Sequence, residues 1–283
     1  MQKSRSNMKT RVIRFQRTLV AAFALMLLSS LVFGQKETPP AGGTPKAFVF
    51  PKQDTYKLPN GMGVTLVQYG SVPKVAIQAV IRAGSLNEKA EKRWISDMVA
   101  TMLKDGTVTR SAEQIARETA DMGGSIFTSA ATDKTTVGGE VLSEFGTRFV
   151  GLMADVIINP KFAAADLEKN RANKLRENAI GRAQPSNIAW EKFRQTIFPG
   201  HPYGDIFASD EVIKGYTLDD VKAFYGEQFG ATRTQLYVVG QFDPASMKTA
   251  IAKAFGGWKS GPEAIRNVPT PYSGRSMTVI DRP

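Results

Sequence analysis

Cysteine is absent from the 283 residues, and histidine occurs once, at His201. The first absence removes a disulfide-stapled fold from consideration. The second excludes any metal site that needs two imidazoles. Acidic residues are missing from the first 34 positions, which hold Lys3, Arg5, Lys9, Arg11, Arg14 and Arg17. The formal charge of +11 is therefore mostly a terminal feature: the remainder has 31 basic against 26 acidic residues, or +5, and nucleic-acid binding loses its main support. A hydrophobic content of 42% is too high for a disordered chain.

Long apolar runs are also scarce. The one that occurs, Leu19 to Phe33, follows the basic stretch and leads into Gly34-Gln35. It is shorter than the roughly 20 residues of a membrane span. This order of basic, apolar and small residues predicts an export signal over residues 1–34, with an uncleaved signal anchor as the alternative. No stable membrane span is expected after its removal, so the chain is expected to be periplasmic or extracellular. Residues 35–47, with Pro39-Pro40 and Gly42-Gly43, read as a flexible tether.

Local signals divide the rest. Strand-like runs at 54–58 and 63–69 flank Pro59-Asn60-Gly61, a hairpin signature, and 74–83 is a third strand. Trp94, Ile95, Met98, Val99, Met102 and Leu103 make one helical stripe. Ser111 and Gln114 open a second helix as a capping box, and Gly123-Gly124 follow it. Strands are expected at 125–130 and 135–142, helices at 144–158, 164–182, 186–197 and 218–229, and a strand at 235–239. Asp243-Pro244 starts a last helix, ended by Gly256-Gly257. Residues 259–274 have a linker's composition, and 276–280 read as a strand in the last stretch, 275–283.

Four stretches in this order resemble peptidase family M16, the pitrilysin and insulinase type. They are Leu58-Pro59-Asn60-Gly61 with Val64 to Val67, Met102 to Thr107, Gly123-Gly124 through Asp133 and Thr135, and Phe198 to Gly204. The resemblance implies an α+β domain over 48–258, with a mixed β-sheet and helices packed on one side. It also implies that 275–283 is the first strand of a second, homologous domain cut short. Active members carry His-x-x-Glu-His on a helix, with a Glu on a later helix as third zinc ligand. Aligned on Met102 to Thr107, the three motif positions are Asp97, Ala100 and Thr101, and none matches; Glu177 falls at the third-ligand position. Such a site needs three protein ligands and a base, and Ala100 is no base.

The resemblance therefore implies an inactive chain with no metal and no cofactor of its own, zinc being expected only in a partner. That partner is an active M16 chain, with which this one forms a heterodimer as scaffold and chamber wall. Peptide or unfolded polypeptide is expected to add as a strand along Ser125, Ile126, Phe127 and Thr128. Two alternatives stay open: an active secreted zinc metalloendopeptidase taking ligands from elsewhere, and a stand-alone periplasmic peptide-binding module. His201, in a turn, and the basic run Lys169, Arg171, Lys174, Arg176 and Arg182, as an exposed helix face, read as structural.

Overall fold

Six strands form the sheet, and three of them, Lys74–Ile81, Ser125–Ala130 and Thr234–Gly240, carry the alternation that a half-buried sheet requires. The computed structural model describes Gly43, residues 49–265, 269–270, 272 and 274–281. The expected signal over 1–34 lies outside the described residues, as does the tether apart from Gly43. β1 (Gln53–Lys57) and β2 (Gly63–Gln68) pair about the Asn60-Gly61 turn, where Gly61 takes φ 91°. β3 (Lys74–Ile81), β4 (Ser125–Ala130), β5 (Thr135–Leu142) and β6 (Thr234–Gly240) complete the order β1-β2-β6-β3-β5-β4. Only β2 and β6 run parallel; the other neighbours are antiparallel.

The register sorts side chains cleanly onto two faces. Val64, Leu236, Ala79 and Val137 share one row, and Leu66, Val238 and Ile77 the next, all buried. Helices cover this face: α1 (Ile95–Leu103), α2 (Ala112–Asp121), α3 (Gly146–Ile158), α7 (Leu218–Gln228) and α8 (Pro244–Phe255) supply Met98, Ile115, Phe149, Val221 and Ile251 to the core. The opposite face carries the row Thr55, Thr65, Tyr237, Gln78, Gly138 and Phe127, and no described helix covers it. The α+β sheet with helices on one side is thus present.

Two further helices follow, α4 (Ala164–Ala183), which packs on α1, and α5 (Pro185–Ile197), joined to α4 at Gln184, and α6 (Asp210–Lys214) is a short element the sequence pattern does not mark. The helices start where local chemistry dictates. Ser111 Oγ accepts from Gln114 N–H while Gln114 Oε1 accepts from Ser111 N–H, and Asp243 accepts from Ser246 N–H ahead of Pro244. The helix expected from Glu144 begins instead with a 3₁₀ turn over Ser143–Phe145.

Asp155 on α3 fixes the loop after α1. It accepts from Thr107 Oγ1 at 2.7 Å, Thr109 Oγ1 at 3.1 Å, Arg110 Nη1 at 2.8 Å and Asn159 Nδ2 at 3.0 Å. Burial raises this carboxyl, and the hydrogen bonds outweigh burial and hold it below the ordinary carboxylate range.

At the C-terminal end the described residues 274–281, expected to open a second domain with a strand, contain no strand here, and Met277 and Val279 lie open to solvent. Periodicity supplied a strand pattern there, but no neighbouring strand satisfies its main chain. The stretch read as a linker is also fastened at its start. Ala231 and Thr232 N–H donate to Lys259 O and Ser260 O, and the buried Arg233 donates to Pro262 O and Glu263 O.

Candidate functional site

The site grows from the contact of α1 with α4. Asp97 lies in the first turn of α1, and Lys174 and Glu177 lie three residues apart on α4, hence on one helical face. Lys174 Nζ reaches Asp97 Oδ2 at 2.5 Å and Glu177 Oε2 at 2.9 Å, and stands 5.4 Å from the centre of the Trp94 ring. Its side chain is only 17% exposed, so Lys174 does not belong to the solvated basic face expected of this helix. Arg171 departs likewise, donating to Tyr216 O and pairing with Glu168. Burial would lower the Lys174 ammonium; Asp97 and then Glu177 outweigh it and hold the pKa above its ordinary value.

The start of α1 is built unusually. Trp94 sits at φ 69° in the left-handed region, which costs a non-glycine residue about 1–2 kcal/mol, and it offers no side-chain cap. Glu88 takes over that role. Its carboxylate accepts from Trp94 N–H and Ser96 N–H, both at 2.9 Å, and from Ser96 Oγ at 2.6 Å. A carboxylate at a helix N-terminus also meets the positive end of the helix dipole. Burial nonetheless pushes the Glu88 carboxyl up, against the pull of Ser96, Trp94 and Arg93. The Tyr216 hydroxyl donates to Arg93 O beside it, and burial raises this phenol.

A cavity of about 190 Å³ opens beside this cluster, lined among others by Ser85, Trp94, Asp97, Ala131, Lys174 and Asp205. It adjoins the end of β4, which is the last strand of the sheet. Ala131 N–H donates to Lys134 O at 2.7 Å, so in the antiparallel register Ser129, Phe127 and Ser125 exchange hydrogen bonds with β5. Ile126, Thr128 and Ala130 consequently turn their main-chain groups outward. Beyond them, Ala131 O and Thr132 O accept from Ser85 and Leu86 N–H, which stops the open edge. Tyr203 Oη donates to Asp133 Oδ1 at 2.6 Å, tying the Phe198 to Gly204 turn to the β4–β5 connection. His201 Nδ1 accepts from Tyr203 N–H within that turn.

The residues expected at the degenerate motif are thus split in their roles. Asp97 and Glu177 come together, around an ammonium. Ala100 is buried in the core, and the Thr101 hydroxyl donates to Asp97 O at 2.9 Å, one turn back. Zinc with an open coordination position needs three N, S or carboxylate ligands. Two carboxylates already bridged by a lysine do not fit it, and no group of three or more His, Asp or Glu that could hold a metal occurs among the described residues. Lys174, Trp94 and Glu88 escape sequence reasoning. The one available signal is the i, i+3 spacing of Lys174 and Glu177, which places whatever meets Glu177 within reach of Lys174.

Comparisons with known proteins bear on the family. The family profile described as insulinase (peptidase family M16) matches residues 64–211, and the profile of the M16 inactive domain matches 215–283. An uncharacterized zinc protease of Rickettsia felis is 29% identical over 219 residues, covering 77% of this chain and 53% of that protein. A probable mitochondrial-processing peptidase subunit beta of Arabidopsis thaliana is 23% identical over 236 residues, covering 82% and 44%. The chain therefore spans about half the length of the curated relatives it matches. Among solved structures, an M16 inactive domain from Pseudomonas fluorescens superposes with TM-score 0.70 at 21% identity, covering 78% of this chain and 54% of that one. The periplasmic protease PqqL of Escherichia coli also gives 0.70, at 14% identity, covering 80% and 26%. No described helix is long and apolar enough to cross a membrane. The matched profile spans more than half of the chain, and the protein therefore belongs to peptidase family M16.

Proposed function

We propose that this is an exported, non-catalytic M16 chain that binds extended peptide along β4 and serves as scaffold and substrate-chamber partner of an active, zinc-bearing M16 chain. The observation that carries the reading is the lysine between Asp97 and Glu177 at the motif positions. A residue set without a general base and without a third metal ligand cannot activate water, and the loss of the base alone costs about 10²- to 10⁴-fold in rate. What remains useful is surface. β4 keeps outward main-chain groups, and strand addition depends on those rather than on side-chain identity. The mitochondrial-processing relative is named as a subunit, which supports the pairing, and PqqL is named as periplasmic, which supports export.

Co-expression with an M16 chain that carries His-x-x-Glu-His, followed by gel filtration and a peptidase assay, tests the pairing. The two are expected to co-elute at micromolar concentration, with activity abolished by mutating the partner's motif only. Separate elution of a fully active homologue would replace this reading by the stand-alone peptide-binding module, which the outward edge of β4 favours by itself.

A further inference from the structure

Lys174 stands between Asp97 and Glu177, two positions at which the resemblance to the family implies zinc ligands. We infer that its ammonium is the site's own permanent counter-ion, which stands between Asp97 and Glu177, offsets one of their two charges and bars a metal ion from them. The inference concerns this chain's residues alone and stands or falls apart from the proposed partner.

Three contacts carry it. The ammonium has three protons to offer and meets two carboxylates, at 2.5 and 2.9 Å, and a third flank is closed by the Trp94 ring at 5.4 Å. Buried Asp97 Oδ2 has no hydrogen-bond donor other than this ammonium. Two carboxylates this close repel unless a cation stands between them, and the protein supplies one covalently, so none need be drawn from solution. Displacing it would require the four-carbon stem to leave the flank of Trp94 and return the charge to water. The nearby hydroxyls give an incoming metal little help: Thr101 Oγ1 is committed to Asp97 O and Ser96 Oγ to Glu88.

The inference makes a claim about a variant that a merely structural salt bridge does not make. Removing the ammonium while keeping both acids should uncover a two-carboxylate site for hard, oxygen-seeking cations. Terbium(III) is the probe, because its emission is sensitised by an indole close by, and Trp94 supplies one. Lys174→Met is expected to give saturable terbium emission that the unmodified chain lacks, and Lys174→Met with Asp97→Asn is expected to lose it. Lys174→Arg, which keeps the charge, is expected to behave as the parent. Should Lys174→Met not fold, Asp97→Asn and Glu177→Gln in that background are expected to restore the fold by removing the uncompensated charge; failure to restore it overturns the inference. It is equally overturned if the parent shows Asp97-dependent emission equal to the variant's, or if folded Lys174→Met shows none.

Discussion

Phe127 lies over Gly138 across the β4–β5 pair, so close that a Cβ on the glycine would come within 2.8 Å of Phe127 Cζ. The neighbouring Gly139 faces the other way. A Cβ there would meet Ser125 O at 2.3 Å and the buried Phe149 Cζ at 2.5 Å. Two adjacent glycines thus answer to different constraints, one to an exposed ring that can swing aside and one to fixed backbone and core.

Gly138→Ala is accordingly expected to cost about 1 kcal/mol, whereas Gly139→Ala is expected to cost about 3 kcal/mol or more. Urea denaturation of the two variants checks the order. Equal losses would mean that Phe127 is held as firmly as Phe149.

Proline separates the inward from the outward main chain of β4. Thr128→Pro removes an N–H that points away from β5, so the domain is expected to fold while affinity for extended peptide falls by about tenfold or more. Phe127→Pro removes a donor to β5 and is expected to destabilise by about 2–3 kcal/mol. Circular dichroism melts paired with fluorescence titration of a labelled peptide separate the two. Unchanged peptide binding by folded Thr128→Pro would move the peptide site elsewhere.

Asp155 and Glu88 are expected to bend the stability profile in opposite senses. The Asp155 carboxyl is held low, so what it contributes is present above the ordinary carboxyl range and is lost as pH falls through its folded value. Asp155→Asn should therefore cost about 2 kcal/mol near neutrality, and the gap to the parent should close below about pH 4. Urea midpoints measured across this range test it, and a gap that widens in acid would contradict the assignment.

For Glu88 the sign reverses. Its carboxyl is raised by burial, so its contribution is fullest below the ordinary carboxyl value and declines as pH rises through the raised one. Glu88→Ala removes the cap of α1 and is expected to cost about 1–2 kcal/mol, more in acid than at neutral pH. The same denaturation series decides it; a cost growing with pH would show that the hydrogen bonds from Trp94 and Ser96 dominate over burial.

The parts of the fold that were legible in the sequence are those whose physics is local. Asn60-Gly61 needs only its own backbone to make a hairpin, and Ser111 with Gln114 or Asp243 with Pro244 needs only one turn of helix. The mixed sheet with helices on one side followed from the family resemblance, whereas its strand order becomes visible only once the strands are paired. Lys174 was hidden for a different reason: as a basic residue among basic residues it looks solvated until α4 is laid against α1, and only then does Asp97 appear beside it. Trp94 gives no sign of its left-handed backbone, because the cap that permits it comes from Glu88 six residues earlier. At 276–280 the converse holds, where a strand's periodicity is present and a strand's neighbour is not.

The position of β6 has a consequence for the order of assembly. It is the last strand among the described residues and yet it lies between β2 and β3, near the middle of the sheet. Until it arrives, β2 and β3 have no shared neighbour, and the core rows of Leu66 and Ile77 lack the Val238 between them. Asn60 cannot make its bonds to Phe255 O and Trp258 O before then either. The residues before Thr234 therefore cannot complete this six-stranded sheet as they are synthesised, and loop closure over such a span slows its completion.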